Sequence, residues 1–285
     1  MNKGQINRIK DKSFGVLGLI ATLSGLIILG FFIGQILHEG LNRLDMDFLK
    51  DLPSRKPEKA GIYTAWVGTL WVLVMTTLFA FPLGVAAGIY LEEYAKKSKL
   101  SSLLEINISN LAGVPSIIYG LLGLEIFGRV MHLGNSLLAG SLTLALLILP
   151  IIIVATREAV RAVPNSLRMA SYGLGASKWQ TIWNQILPAS MGGIFTGVIL
   201  AISRAVGETA PLIVVGALAY VPFAPSGPMD EFTVLPIQIF NWISRPQHGF
   251  AVNAAAAIII LLGITFIMNG IAVYLRNRWQ KKINW

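Results

Sequence analysis

The sequence predicts an all-α membrane protein that crosses the bilayer six times. Hydrophobic residues make up 54% of the 285 positions and charged residues only 13%, which is more apolar surface than a soluble core of this length buries. Six apolar stretches are each long enough to cross about 30 Å of hydrocarbon as a helix. Lysine and arginine are also distributed unevenly between the segments that connect these stretches.

The predicted spans are separated by charged or proline-bearing segments. In chain order they are Phe14–Leu37, Ile62–Leu91, Ile106–Leu124, Leu133–Thr156, about Ala189–Leu218 and Gly249–Leu275. The first is expected to be a retained anchor, because it is about twice the length of a signal-peptide core and no A-x-A pattern follows it. Residues 1–60 are therefore predicted to be an anchor helix and an outer linker, 61–276 a five-helix core, and 277–285 a basic tail.

The positive charges predict the orientation. With a cytoplasmic N-terminus, the inner segments carry 15 lysines and arginines and the outer segments seven, as expected where positive residues remain on the cytoplasmic side. Both termini of this multi-pass cell-membrane protein are thus predicted to be cytoplasmic. The net charge of +9 then requires no nucleic-acid partner, and the inner turn containing Glu92 and Glu93 is expected to be ordinary solvated surface.

Two spans carry features that interrupt a helix. The third contains Pro115 within Gly113–Gly120, and proline removes a helical hydrogen bond. Such a break either lines a transport path, with Ser116 and Tyr119 as candidate path residues, or is a packing kink. The fifth span lies in an uncharged run broken only by Arg204 and Glu208. Because the prolines from Pro222 onward cannot continue a lipid-exposed helix, a single span is predicted there, with Arg204 near mid-membrane.

The segment 157–188 is predicted to form a helical hairpin on the cytoplasmic side. Pro164 suits the first turn of a short helix, and Gly173 and Gly175 supply its end. Ser177 and Gln180 have capping-box spacing, and a second amphipathic helix follows. Its apolar face is predicted to contain Trp179, Ile182, Trp183, Ile186 and Leu187. The hairpin is a rigid projection suited to a socket on another protein, or else an amphipathic hairpin that lies on the membrane.

This hairpin resembles the EAA loop of ABC importer permeases, whose pattern is E-A-A, three residues, G, nine residues, I-x-L-P. The matching positions are Met169, Ala170, Ser171, Gly175, Gln185, Leu187 and Pro188, with Met169, Ser171 and Gln185 departing from the pattern. The resemblance implies the type I permease fold over Gly61–Arg276. It also implies that this loop, with Gly173 and Trp179 among its contact residues, docks into a cleft on a cytoplasmic ATPase.

Arg204 and Glu208 are spaced to meet on one helical face. An arginine at the membrane centre costs about 2.5 to 3.5 kcal/mol on insertion scales, so it is expected to face the bundle or a cavity. Its planar guanidinium matches tetrahedral oxyanions, and Glu208 can hold it until substrate arrives. The alternative is an ion pair that only ties helices together.

The same stretch resembles the R-A-x-G-E-T-A-P-L signature of PstA-type membrane subunits of phosphate importers. Further similar pieces are A-G-I-Y-T-A from Ala60, N-L-A-G-V-P-S-I-I-Y-G from Asn110 and L-P-I-Q-I-F-N-W from Leu235. The sister PstC type usually reads G-E-T-M where this chain has Gly207–Ala210. The resemblance implies phosphate as substrate, with Thr209 also on the path. It implies a PstC-like pore partner, two PstB-like ATPase copies and a PstS-like binding protein as partners.

Other functions are less well supported by the residues. There is no P-loop motif, so ATP and Mg²⁺ are expected on a partner and no cofactor on this chain. With no cysteine and three scattered histidines, no metal site is expected. Neither G-x-S-x-G nor H-E-x-x-H occurs, which disfavours an enzyme. An ABC permease for molybdate or sulfate remains the main alternative, and an ion-coupled transporter is disfavoured because Glu208 is the only deep carboxylate.

Overall fold

The computed structural model describes residues 3–96, 98–217 and 220–280, and this part of the chain is helical with no β-strand. Lys97, Leu218 and the tail residues 281–285 lie outside the described residues. The helices are α1 (Lys3–Gly40), α2 (Met46–Lys50), α3 (Tyr63–Ile89), α4 (Lys99–Leu111), α5 (Ser116–Gly123), α6 (Leu137–Arg161), α7 (Asn165–Gly173), α8 (Lys178–Thr181), α9 (Leu187–Val206), α10 (Ala210–Val215), α11 (Leu235–Ile243) and α12 (His248–Gln280). The predicted all-α class is confirmed.

Within the described residues, five helices are long and apolar enough to cross a membrane. They are Asp11–Arg43, Tyr63–Tyr94, Leu137–Arg161, Lys178–Val206 and His248–Arg278. A sixth span is formed if the bent pair Ser101–Leu111 and Ser116–Val130, whose axes differ by 104°, crosses as one unit. The predicted break at Pro115 is therefore present, and it is a sharp corner within the third span.

The bundle is centred on α3, α6 and α9, which approach closely where glycines face small side chains. A Cβ at Gly88 would lie 2.6 Å from Thr156 Cβ, and one at Gly197 would overlap Ala155 Cβ. Gly193 faces Ala159 in the same way, so α9 runs antiparallel to α6. In lipid there is no hydrophobic driving force between helices, so helices associate through close packing. Small residues at the contact allow the two backbones to approach closely.

This register gives the depth of Arg204. Gly193 lies opposite Ala159 and Gly197 opposite Ala155, so continuing the antiparallel pairing for about two more turns places Arg204 level with Ile148. Since α6 spans Leu137–Arg161, Ile148 lies close to its midpoint. Arg204 is thus level with the middle of α6, although it is near the end of its own helix, and its mid-membrane depth stays a prediction.

The segment predicted as an outer linker is folded onto the bundle. Phe48 is fully buried against Trp242 and Phe250, and the Arg43 guanidinium donates to the side chain of Asn253 and to two backbone carbonyls in the segment. Residues 41–61 therefore pack against the core helices, and their assignment as an outer linker stays a prediction. The segment is mostly polar, but it contains Phe48, which packs into the core, and Arg43, which binds backbone carbonyls of the segment.

Candidate functional site

The fifth span does not continue to Leu218 as a single helix. The helix runs from Lys178, earlier than predicted, and ends at Val206, after which α10 begins at Ala210. Pro211 explains the break, because in a continuous helix its ring would clash with the carbonyl of Gly207 and it has no N–H to donate. At the start of α10 proline is well tolerated, and Pro211 lies in that first turn.

Arg204 and Glu208 meet across this break. Arg204 Nε donates to Glu208 Oε1 at 3.3 Å. The Arg204 side chain is 41% exposed and that of Glu208 18%. Glu208 faces inward, where it shares the lining of a cavity of about 10 Å³ with Thr69 and Leu73, room for about one water. Arg204 therefore presents its guanidinium at the surface of the single chain, close to mid-depth of the bundle.

The breaks in the third and fifth spans lie side by side. A Cβ at Gly120 of α5 would lie 2.8 Å from Pro211 Cα of α10, so the two short helices after the breaks pack directly. The Tyr119 hydroxyl donates to the Leu111 carbonyl at 2.8 Å, which stabilises the corner between α4 and α5. Tyr119 is 6% exposed and belongs to the same buried cluster as Ala205 and Val206. Discontinuous helices that meet in this way are typical of transport pathways.

The other two predicted path residues flank these breaks. Ser116 is the first residue of α5 and is half-buried, and Thr209 precedes α10 in the same half-buried state. The break that contains Arg204, Glu208 and Thr209 thus lies beside α5, the helix that contains Tyr119. Neither the Ser116 hydroxyl nor the Thr209 hydroxyl forms a hydrogen bond with the Arg204–Glu208 pair in the described structure, so their role on the path remains a prediction.

The predicted hairpin is present at the opposite end of α9. The short helix α7 ends at Gly173, and Gly175 adopts φ +81°, the left-handed backbone that glycine tolerates. The Ser177 hydroxyl accepts from Gln180 N at 3.3 Å, and Gln180 Oε1 accepts from Ser177 N at 2.8 Å, which completes the capping box. Ser171 and Thr181 hydroxyls, 2.9 Å apart, join the two arms of the hairpin.

Three details of the hairpin differ from the prediction. Pro164 caps α7 from just outside its first turn. The second arm is not a separate short helix, because it runs through α8 and a widened π-helical turn at Ile182–Ile186 into α9; that turn accommodates Pro188, which cannot donate a backbone hydrogen bond. Ile182 and Ile186 are buried, whereas the indoles of Trp179 and Trp183 stack together at 5.6 Å and are mostly exposed.

The tip of the hairpin is an exposed apolar surface. Leu174 is 90% exposed and Met169 69% exposed, while Ala170 and Gly175 are exposed beside them. Between the two arms lies a cavity of about 580 Å³. It is lined by Leu167, Ala170, Ser171, Leu174, Gly175, Ala176, Gln180, Asn184 and Gln185. Exposed apolar side chains concentrated around a concave surface are typical of a protein-binding site. Leu187 and Pro188 lie instead at the base of the hairpin, half-buried where α9 begins.

Glu92 and Glu93 are not ordinary solvated surface, contrary to the sequence-based expectation. Both lie on the π-helical turn Tyr90–Tyr94 that extends α3, and both are ion-paired with residues far along the chain. Glu92 pairs with Arg157 and Arg161 at the end of α6, and Glu93 pairs with Arg168 of α7. Sequence reasoning missed them because the partners are 65 to 75 positions away, too far for any local spacing signal.

Interrupted spans, an arginine level with the middle of α6 and an exposed hairpin are features expected of a membrane transport subunit. The chain belongs to the family described as the binding-protein-dependent transport system inner membrane component, whose model matches residues 80–281. It is thus a multi-pass membrane permease subunit of the ABC importer class. The exposed hairpin and the paired breaks both fall within the matched residues.

Individual relatives agree with this family. The chain is 30% identical over 274 residues to a probable ABC transporter permease protein, YqgI, of Bacillus subtilis, which covers 91% of this chain and 93% of the relative. It is 34% identical over 220 residues to the phosphate transport system permease protein PstA 1 of Mycobacterium tuberculosis. This match covers 76% of this chain and 70% of the relative. The resemblance to PstA-type permeases is confirmed by these matches.

The fold also matches solved structures. A chain of a bacterial alginate ABC transporter, solved in complex with an alginate-pentasaccharide-bound periplasmic protein, superposes with a TM-score of 0.69 at 14% identity. The match covers 95% of this chain and 96% of that one. It confirms the predicted type I importer permease fold.

Proposed function

We propose that this chain is a PstA-type permease subunit that conducts inorganic phosphate into the cell. The observation that carries the proposal is the position of Arg204, which is exposed on the isolated chain at mid-depth of the bundle. An exposed guanidinium at that depth is costly in lipid, so it faces an aqueous path or a second subunit. Glu208 holds it at 3.3 Å, and a tetrahedral anion can replace that carboxylate as its partner.

The proposed path is shared with a PstC-like subunit. Arg204 lies on the outside of this chain's bundle, so a path at this point requires a second wall. A related subunit supplies that wall if it packs against the same face. The orientation follows from the charge distribution, with the hairpin and both termini in the cytoplasm and a PstS-like binding protein on the outer side.

The hairpin is proposed to couple this path to ATP hydrolysis. Its exposed Met169 and Leu174, the cavity between its arms and its capped, rigid corner suit insertion into a cleft on a PstB-like ATPase dimer. ATP and Mg²⁺ are bound and used by that partner and not by this chain. The relatives named as phosphate permeases support phosphate as the substrate, and a permease for sulfate or molybdate is the competing assignment.

The test is uptake of labelled phosphate by the reconstituted complex in vesicles. Arg204→Ala should lower ATP-dependent uptake about tenfold or more, the usual cost of losing a charged hydrogen bond, and Arg204→Lys should retain part of it. Arg129→Ala is the matched control, because Arg129 and Glu125 form an equally spaced but more exposed pair, with side chains 68% and 58% exposed. Unchanged uptake in Arg204→Ala would refute the path assignment. Competition by excess sulfate or molybdate, but not phosphate, would reassign the substrate.

A further inference from the structure

Glu93 is a buried carboxylate that joins α3 to the hairpin. Its side chain is 7% exposed and that of its partner Arg168 14% exposed. Arg168 Nε and Nη2 donate to Glu93 Oε1 at 3.0 and 2.8 Å. Burial of this kind strongly disfavours an unpaired charge, so neither residue can leave without destabilising the other. The pair therefore holds α7 against the end of α3.

The same guanidinium also binds the last turn of α6. Arg168 Nη1 donates to the Val163 carbonyl at 2.6 Å, and Nη2 donates to the Val160 carbonyl at 2.9 Å. Val160 lies in the last turn of α6, where backbone carbonyls lack intrahelical donors, and Val163 lies two residues beyond the end of that helix. One side chain of the hairpin thus contacts the ends of two membrane helices.

The second arm of the hairpin reaches the same residue of α3. Lys178 Nζ donates to the Glu93 carbonyl and lies 4.9 Å from the centre of the Tyr94 ring. Glu93 therefore binds a residue of α7 with its side-chain carboxylate and a residue of α8 with its backbone carbonyl. Both arms are fastened to one position, so the hairpin cannot rotate about a single arm without breaking one of these contacts.

The helix that receives these contacts continues to the Arg204 site. Leu73 of α3 packs in the same buried cluster as Ala205 and Val206 and lines the small cavity with Glu208. Leu73 and Glu93 are 20 positions apart, about 30 Å along a helix. Thus α3 connects the base of the hairpin to the break that carries Arg204 and Glu208.

The neighbouring Glu92 has a different set of partners. It pairs with Arg157 at 3.6 Å and with Arg161 at 3.0 Å, both on α6. Arg157 and Arg161 also pair with Glu105 of α4. This second cluster joins membrane helices to one another and includes no residue of α7 or α8. Two adjacent glutamates of the same turn thus have separable roles.

We propose that Glu93 and Arg168 are positioning residues that fasten the hairpin to α3 and α6, so that displacement of the hairpin moves these helices and is not lost by flexing at its base. The inference rests on the proposed function, because it concerns how the conformational change of the ATPase is transmitted to the anion path. Without the pair, the hairpin still docks and ATP is still hydrolysed, but each turnover moves α3 less. The signature is excess ATP hydrolysis per anion transported.

The experiment measures ATP hydrolysis and phosphate uptake together in vesicles that contain the complete complex. Glu93→Gln should raise the ATP hydrolysed per phosphate about fivefold or more, the low end of the usual range for a coupling energy, and Arg168→Lys should give a smaller rise. Glu92→Gln, the matched control, should leave the ratio unchanged. An unchanged ratio in Glu93→Gln, or an equal rise in both glutamine variants, would overturn the proposal. If Glu93→Gln does not assemble, an unchanged ratio in Arg168→Lys overturns it.

A second measurement does not depend on transport. The chain contains no cysteine, so spin labels can be placed at Tyr90→Cys and Tyr172→Cys, two exposed positions at the end of α3 and on α7 of the hairpin. The distance distribution between the labels should be narrow in the parent and broadened by Glu93→Gln but not by Glu92→Gln. Equal widths in all three would overturn the inference. Failure of the wild-type complex to take up phosphate would instead refute the proposed function, while the label distances would still decide this one.

Discussion

Replacing Gly175 by alanine isolates the contribution of one backbone angle to the hairpin. Gly175 has φ +81°, and a Cβ there would meet no other atom within 4 Å. The cost of alanine is thus the left-handed conformation itself, about 1 to 2 kcal/mol. This corresponds to about a 5- to 30-fold increase in the open population of the corner.

Gly173→Ala is the matched control. Gly173 is the last residue of α7, is exposed, and has equally empty space at its Cβ position, but its φ is not positive. Alanine there should be neutral or slightly stabilising. The assay is amide hydrogen exchange across residues 165–181 in detergent or nanodiscs, combined with the ATP-to-phosphate ratio. Gly175→Ala should speed exchange and raise the ratio, and equal behaviour of the two variants would refute the proposed role of the Gly175 corner.

Two further predictions concern packing and the loop that follows α10. Gly197→Val should lower the thermal unfolding midpoint, because overpacking the contact with Ala155 costs about 1 to 3 kcal/mol. Gly30→Val, the control, should leave the midpoint unchanged, because Gly30 has no neighbour within 4 Å. Equal midpoints in the two variants would contradict the packing of α6 on α9. In the loop, hydrogen bonds from the Ser226 amide, the Gly227 amide and the Ser226 hydroxyl lower the pKa of Asp230. The stabilisation is complete above the ordinary carboxyl pKa and is lost as the pH falls through the lowered value. Protection of the Ser226 and Gly227 amides, measured as exchange relative to the intrinsic rate at each pH, should therefore fall in acid, and Asp230→Asn should remove that pH dependence.

Features with local signals were predictable from the sequence. The capping box of Ser177 and Gln180, the turn at Gly175 and the break at Pro115 each follow from residues within one helical turn, and the structure contains all three. Each of these features arises because backbone hydrogen bonds near the residue must be either formed or replaced. The Arg204–Glu208 contact was predictable for the same reason, since only four positions separate the two residues.

Features that depend on distant partners were not predictable. The fifth span was expected to reach Leu218, yet the helix ends at Val206, and α10 packs beside Gly120 of the third span. Glu93 looked like solvated charge, because Arg168 is 75 positions away. Phe48 looked like part of a linker, because its partners Trp242 and Phe250 come about 200 residues later. Hydrophobic periodicity contains no information on such pairings.

We expect this chain to move an oxyanion past Arg204 only when its hairpin is driven by an ATPase. The most direct measurement is labelled phosphate uptake into vesicles that contain the permease pair, with and without the cytoplasmic ATPase. Uptake should require both the ATPase and ATP. Uptake at the full rate from the permease pair alone would contradict it.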